Sequence, residues 1–229
     1  AFGTPTIPKP GELSLPAPTH KWRVENGVIR FSVVSYGTTG EEWIFRLEGN
    51  GYQVSPYAKS VLCSDDFEPT NGVVTEVAVL PGSLWSDNER LTKNVRREAK
   101  KRRFRKLNAE VACLIREQFS DEDLAAMGLW WIIVMHAPIE DSDGSPSLLG
   151  VDRHDDGRRL NAYDDTPLNR WNRDDGFAFA IPATHFISLP SAGSRIRESF
   201  VLQSVPANPR ASFRPQAAFL IVRYTAYPP

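Results

Sequence analysis

The chain has 229 residues, of which 41% are hydrophobic and 24% charged, and a formal net charge of −1. That is enough chain to bury a core without disulfide or metal staples, and average enough in composition to exclude disorder throughout. The near-zero net charge excludes a global field that would draw the molecule to nucleic acid or membrane, although the charge is unevenly spread along the chain.

Residues 1–19 hold five prolines and no alternating pattern, which predicts an extended arm ahead of one globular domain over 20–229. Asn26-Gly27 between apolar runs signals a hairpin turn, and the alternation of Ile29, Phe31 and Val33 predicts a strand over Val28–Ser35. Trp43, Ile44 and Leu47 at helical spacing predict a short helix from Gly40 to about Glu48, stopped by Gly49 and Gly51. Ser55 as N-cap with Pro56 behind it opens a second helix to about Ser64. Val73–Leu80 is rich in β-formers and reads as the next strand. Ser86 and Glu89 have capping-box spacing and predict a helix from Asp87 to about Phe104. Another is expected over Asn108–Phe119, and a short one after Ser120 that Gly128 ends.

Trp130–His136 is nearly all apolar and predicts a central strand. Residues 140–176, rich in Asp, Asn, Gly and Arg, predict long loop structure with a short strand near Leu148–Val151. Phe177–Ile181, Ser199–Val205 and Ala217–Tyr227 read as further strands. The expected class is α+β: a mixed sheet with helices inserted between strands in the first two-thirds, and a loop- and strand-rich final third.

Cys63 and Cys113 both sit in apolar, helical stretches. Two buried free thiols in a reducing, cytoplasmic setting are expected, with a single disulfide as the other reading. The longest stretch without Lys, Arg, Asp or Glu is Leu124–Ile139, 16 residues. It is short for a membrane span, so no membrane partner is expected. The first residues show neither the charged start nor the apolar run of a signal peptide. Nothing in the sequence sets an oligomeric state.

The charge falls in two blocks. Residues 90–106 hold ten basic side chains and one acid, Glu98, a local net of +9; residues 120–175 hold thirteen acids and five arginines, a local net of −8. A helix end that is basic on all sides can track a phosphate backbone, so Arg96, Lys100 and Arg103 are candidate polyanion-binding residues, with nucleic acid as the partner. A solvated helix end suited to the helix dipole is the other reading, as is neutralisation by the acidic block.

Asp141, Asp143, Ser145, Ser147 and Asp152 place oxygens at loop positions 1, 3, 5, 7 and 12, the spacing that hard cations take. Glycine at position 4 and proline at position 6 depart from the EF-hand. Asp141, Asp143 and Asp152 are therefore candidate ligands for Ca²⁺ or Mg²⁺ in some other loop, or simply parts of a polar turn. His136 ends the apolar strand ahead of these acids and His154 follows them, so both are candidate catalytic bases or ligands; the alternative is a strand-closing His136 and an exposed His154. Gly37-Thr38-Thr39-Gly40 before a helix could hold an anion on backbone donors or only turn the chain. Tyr163, Trp171 and Phe177 among amides and carboxylates would suit sugar rings, or pin a long loop. There is no Gly-x-Ser-x-Gly, no cysteine pair with zinc spacing and no His-Glu-x-x-His.

Two functions follow as expectations. One is a divalent-cation-dependent hydrolase acting on a phosphate-bearing or polyanionic substrate, nucleic acid included. The other is a non-catalytic binding or structural assembly protein with a cation-stabilised loop. The first requires His136 and His154 to meet in a concave site; the second leaves them apart.

Overall fold

A computed structural model of the chain describes residues 21–154 and 157–182. The arm expected over 1–19 and the strands expected at Ser199–Val205 and Ala217–Tyr227 lie outside the described residues.

In chain order the elements are β1 (Arg23–Glu25), β2 (Val28–Tyr36), α1 (Gly40–Gly49), β3 (Gln53–Val54), α2 (Pro56–Leu62) and β4 (Asn71–Pro81). A 3-10 turn (Gly82–Leu84) leads to α3 (Thr92–Lys101), α4 (Val111–Gln118) and α5 (Asp121–Ala126). The rest are strands: β5 (Trp131–Val134), β6 (Ile139–Glu140), β7 (Pro146–Asp152), β8 (Arg159–Asp164) and β9 (Asp175–Ala180). Among the described residues the fold is thus α+β, with five α-helices and one nine-stranded mixed sheet of order β1-β2-β4-β9-β5-β7-β8-β3, β6 pairing with β7. β9 runs parallel to β5, β3 parallel to β8, and all other pairs are antiparallel.

The two faces of the sheet bury different sets of residues, as the period of two demands. On one face Phe31, Val33, Val77, Val79, Ile132, Val134, Leu149 and Val151 form a core with Trp43 and Leu47 of α1, Val61 and Leu62 of α2, and Ile115 of α4. On the other, Ala78, Leu80, Ile133, Met135, Leu148, Phe177 and Phe179 are covered by Val95 and Ala99 of α3 and by Trp171. Among the described helices α3 therefore carries the second face almost alone, on two small side chains. The remainder of its surface is free to be polar.

Local signals were decisive where they were short-ranged. Asn26 and Gly27 take φ of 52° and 73° and join β1 to β2, as an Asn-Gly hairpin turn should. Thr39 and Glu42 form a full capping box on α1, and Ser55 caps α2 through the Ala58 N–H. The Gly37–Gly40 turn thus uses its helix N-terminus for its own cap. Gly40 serves helix packing. A Cβ there would lie 1.8 Å from the Leu62 carbonyl oxygen, so glycine lets α1 close on α2.

Three expectations are corrected. The helix expected from Asp87 begins at Thr92, because the buried Arg90 side chain turns inward and donates to the carbonyls of Gly82, Trp85 and Trp171. Those bonds fasten the preceding segment as an irregular loop. Residues 140–176 are not long loop structure: β7 and β8 pair over six residues each, Ser147 opposite Asp164 through Asp152 opposite Arg159. β8 (Arg-Leu-Asn-Ala-Tyr-Asp) is too polar for a clear alternation, and its place comes from its partners. Finally, Cys113 is buried but Cys63, at the C-cap of α2, is exposed. No helix among the described residues is long and apolar enough to cross a membrane.

Candidate functional site

The register of the central strands decides where the expected site residues go. β5 and β7 run antiparallel with Trp131 opposite Asp152. His136 follows the end of β5, while His154 follows the end of β7. The two histidines therefore lie at opposite ends of one strand pair, about 20 Å apart at ~3.3 Å per residue. The same reasoning parts Asp141 and Asp143, in the turn before β7, from Asp152 at its far end.

Most of these residues have local work. His136 is 1% exposed and both of its ring nitrogens meet backbone: Nδ1 the Ala137 carbonyl, Nε2 the Leu149 N–H at 2.8 Å. That assigns the proton to Nδ1, and burial holds the pKa down at about 4, so the ring is neutral. His136 ties the end of β5 to β7 and has no nitrogen left for a proton transfer or a metal. His154 is exposed. Asp141 accepts from the N–H groups of Asp143 and Ser145 and from Ser147 Oγ, which is an Asx-type turn closing on itself. Those bonds hold its carboxyl below its ordinary range. Among the described residues, no three His, Cys, Asp or Glu side chains converge where they could hold a metal ion.

The basic segment fares differently. Arg96 is taken by Asp165, at 2.6 Å. Lys101 and Arg102 share Glu98, and Arg90 is occupied by carbonyls and Asp87. The remaining six cations, Lys93, Arg97, Lys100, Arg103, Arg105 and Lys106, are exposed and make no ion pair with any described residue. Lys93, Arg97 and Lys100 stand at i, i+4 and i+7 on one face of α3. Arg103 continues the strip from an unusual backbone position. α3 ends in a Schellman motif, Phe104 N–H on the Ala99 carbonyl and Arg103 N–H on that of Lys100. Arg103 occupies the left-handed position of that motif at φ 62°, where glycine is the ordinary choice.

A second feature was only half visible in the sequence. Trp131 stands on β5 with Asp152 opposite it on β7 and Asp175 opposite it on β9. These three side chains share the α3 face of the sheet, the carboxylates about 10 Å apart across two strand spacings. Both acids are buried, at 4% and 1% exposure. Asp152 Oδ2 accepts from Tyr163 Oη at 3.1 Å and Asp175 Oδ2 from the Asn172 N–H at 2.6 Å. Each Oδ1 lacks a hydrogen-bond partner. Burial raises both carboxyls, Asp175 to about 6. The Tyr163 ring reaches Asp152 across Gly150, where a Cβ would come within 2.9 Å of Tyr163 Cε2.

Trp131 also lines an open groove of about 870 Å³ together with Trp130 and Trp171, with Arg90, Arg170 and Arg173 among its polar groups. The tryptophans are held by other rings: Tyr163 lies 5.3 Å from Trp131 and 6.1 Å from Trp171, and Phe177 5.6 Å from Trp171. Trp171 Nε1 donates to Thr92 Oγ1, the first residue of α3. Of this set the sequence singled out Tyr163, Trp171 and Phe177 as an aromatic group. It could not supply Trp130 and Trp131, which join them through strand register.

Compared with known proteins, the chain matches no family model, and no curated protein or solved structure gives a significant match.

Proposed function

We propose that the chain binds a phosphate-bearing polyanion through α3 and the turn that follows it, in the manner of a binding protein. The observation that carries this reading is that Lys93, Arg97, Lys100, Arg103, Arg105 and Lys106 make no ion pair among the described residues. The acidic segment 120–175 could have neutralised them and, among the described residues, pairs with Arg96 alone of the cations in 90–106. Six exposed cations along one helix and its exit are an electrostatic footprint for phosphates, each contact releasing a condensed counterion. Arg96, expected to hold phosphate, is on this reading a structural cation, while Lys100 and Arg103 keep the role. A hydrolase finds less support, because His136, His154, Asp141, Asp143 and Asp152 stand at two ends of the sheet.

The test is binding of the full chain to a labelled single-stranded oligonucleotide and to heparin across a salt series. Binding should weaken steeply with salt. Replacing Lys93, Arg97, Lys100 and Arg103 together by Gln should lower the slope of log K against log salt by about three, at ~0.7 per single-strand phosphate contact. Failure to bind at low salt, or an unchanged slope in the variant, overturns the proposal.

A further inference from the structure

The tryptophan groove abuts the basic helix, and the two surfaces differ in chemistry. Thr92, which opens α3, holds the indole of Trp171, and Leu91 bridges to Arg170. Lys93, the first of the unpaired cations, is the next residue of α3. Trp130 is 36% exposed, high for so large an apolar ring, and carries the Arg153 guanidinium 4.7 Å over its ring centroid. Arg170 and Arg173 at the rim are exposed and make no ion pair among the described residues. Of the two acids on the rim, Asp87 is paired with Arg90, which leaves Asp174 against these two arginines.

Resting on the polyanion reading, we propose that this groove is a nucleobase-stacking subsite and that the polyanion is a single-stranded nucleic acid. The exposed indole of Trp130 and the half-buried one of Trp131 offer flat faces to any base, and the arginines beside them take the flanking phosphates. The strand then leaves the groove along α3, its backbone over Lys93, Arg97 and Lys100. A base paired in a duplex has its faces covered by its neighbours, so the groove selects unpaired strands. Trp131 is fixed from below by Tyr163, itself packed on the buried Trp171, so a base meets a preformed platform and the site loses little ordering entropy.

The experiment compares a fluorescent oligothymidylate with inorganic polyphosphate of equal charge as competitors for the full chain, with duplex DNA and an uncharged oligosaccharide as further probes. The single strand should compete about tenfold better than polyphosphate, the equivalent of one stacked base, and should quench tryptophan emission. Trp130→Ala should abolish that tenfold advantage and leave polyphosphate binding unchanged, while Trp130→Phe restores most of it. If polyphosphate and single strand compete equally, or if Trp130→Ala changes nothing, the groove proposal fails while the role of α3 stands. If neither binds, both fail. Preference for duplex, or Trp130-dependent binding of the uncharged oligosaccharide, overturns the assignment of an unpaired base.

Discussion

Arg96 reaches Asp165 across 2.6 Å and, among the described residues, makes the one ion pair between the basic segment 90–106 and the acidic segment 120–175. Asp165 is 3% exposed in its side chain and its other oxygen has no hydrogen-bond partner, so the guanidinium is its main compensation. Arg96→Ala should cost about 2–3 kcal/mol in urea denaturation, toward the low end for a broken buried pair because Arg96 keeps some solvent contact. Asp165→Asn in the same chain should recover most of that loss. Full stability in the single variant would remove the structural role given to Arg96.

Arg103 carries a different tension. An L-residue in the left-handed region costs about 1 kcal/mol relative to glycine. Arg103→Gly should therefore raise stability by about 1 kcal/mol in thermal or chemical unfolding and, in the same protein, weaken polyanion binding. Opposite signs in the two assays are the expected outcome. Lower stability would show that the arginine side chain contributes contacts of its own.

The buried carboxyl of Asp175 gives a pH signature. Its pKa is raised by burial from 3.8 to about 6, so its contribution is fully present below the ordinary value and is lost as pH rises through about 6. His136 acts the other way. Its pKa is lowered from 6.5 to about 4, so its contribution is present above 6.5 and is lost as pH falls toward 4. Between pH 6 and 4 the two oppose each other. Asp175→Asn keeps an oxygen for the Asn172 N–H and removes one arm. The variant should exceed the parent by about 2 kcal/mol at about pH 7.5 and lose that advantage by about pH 4, read from urea midpoints. An advantage independent of pH would dismiss Asp175 as the source.

Gly150 leaves room for the Tyr163 ring. Gly150→Ala should cost about 2–3 kcal/mol, since the new methyl meets the Ile132 carbonyl oxygen at 2.9 Å as well as the ring. It should also change the near-UV circular dichroism of the Trp131–Tyr163–Trp171 cluster. A silent Gly150→Ala would show that the ring moves aside freely.

How far the sequence could be read follows from the range of each signal. Caps, the Asn-Gly turn and the alternation of Ile29, Phe31 and Val33 act within a few residues, and α1, α2, β2 and β4 appear where those signals put them. The Ser86–Glu89 box is real as a contact, Ser86 Oγ on Glu89 Oε2, but it closes one turn only. What stops the helix is Arg90 reaching the Trp171 carbonyl, 81 residues away. The metal and histidine constellations come apart for a related reason. Nearness in sequence is not nearness in space, and β7 lies between Asp143 and Asp152. The groove is illegible in the sequence because Trp130 and Trp131 come beside Trp171 only through the pairing of β5 with β9.

Strand order also bears on how the molecule is made. β9 is the last described strand in the chain, yet it fills the gap between β4 and β5. A growing chain can pair β1, β2 and β4, and separately β5, β7 and β8, but the two sets of strands share no ladder until residues 175–180 emerge and meet before that through helix packing, α4 lying on both. At ~10 residues per second, the β4 edge waits on the order of ten seconds for its partner after leaving the ribosome. During that time Val77–Leu80 offers open backbone and apolar side chains to any neighbouring nascent chain. A chain truncated before Asp175 would therefore keep the facing edges of β4 and β5 open for good, a gap in the middle of the sheet that invites a strand from another molecule.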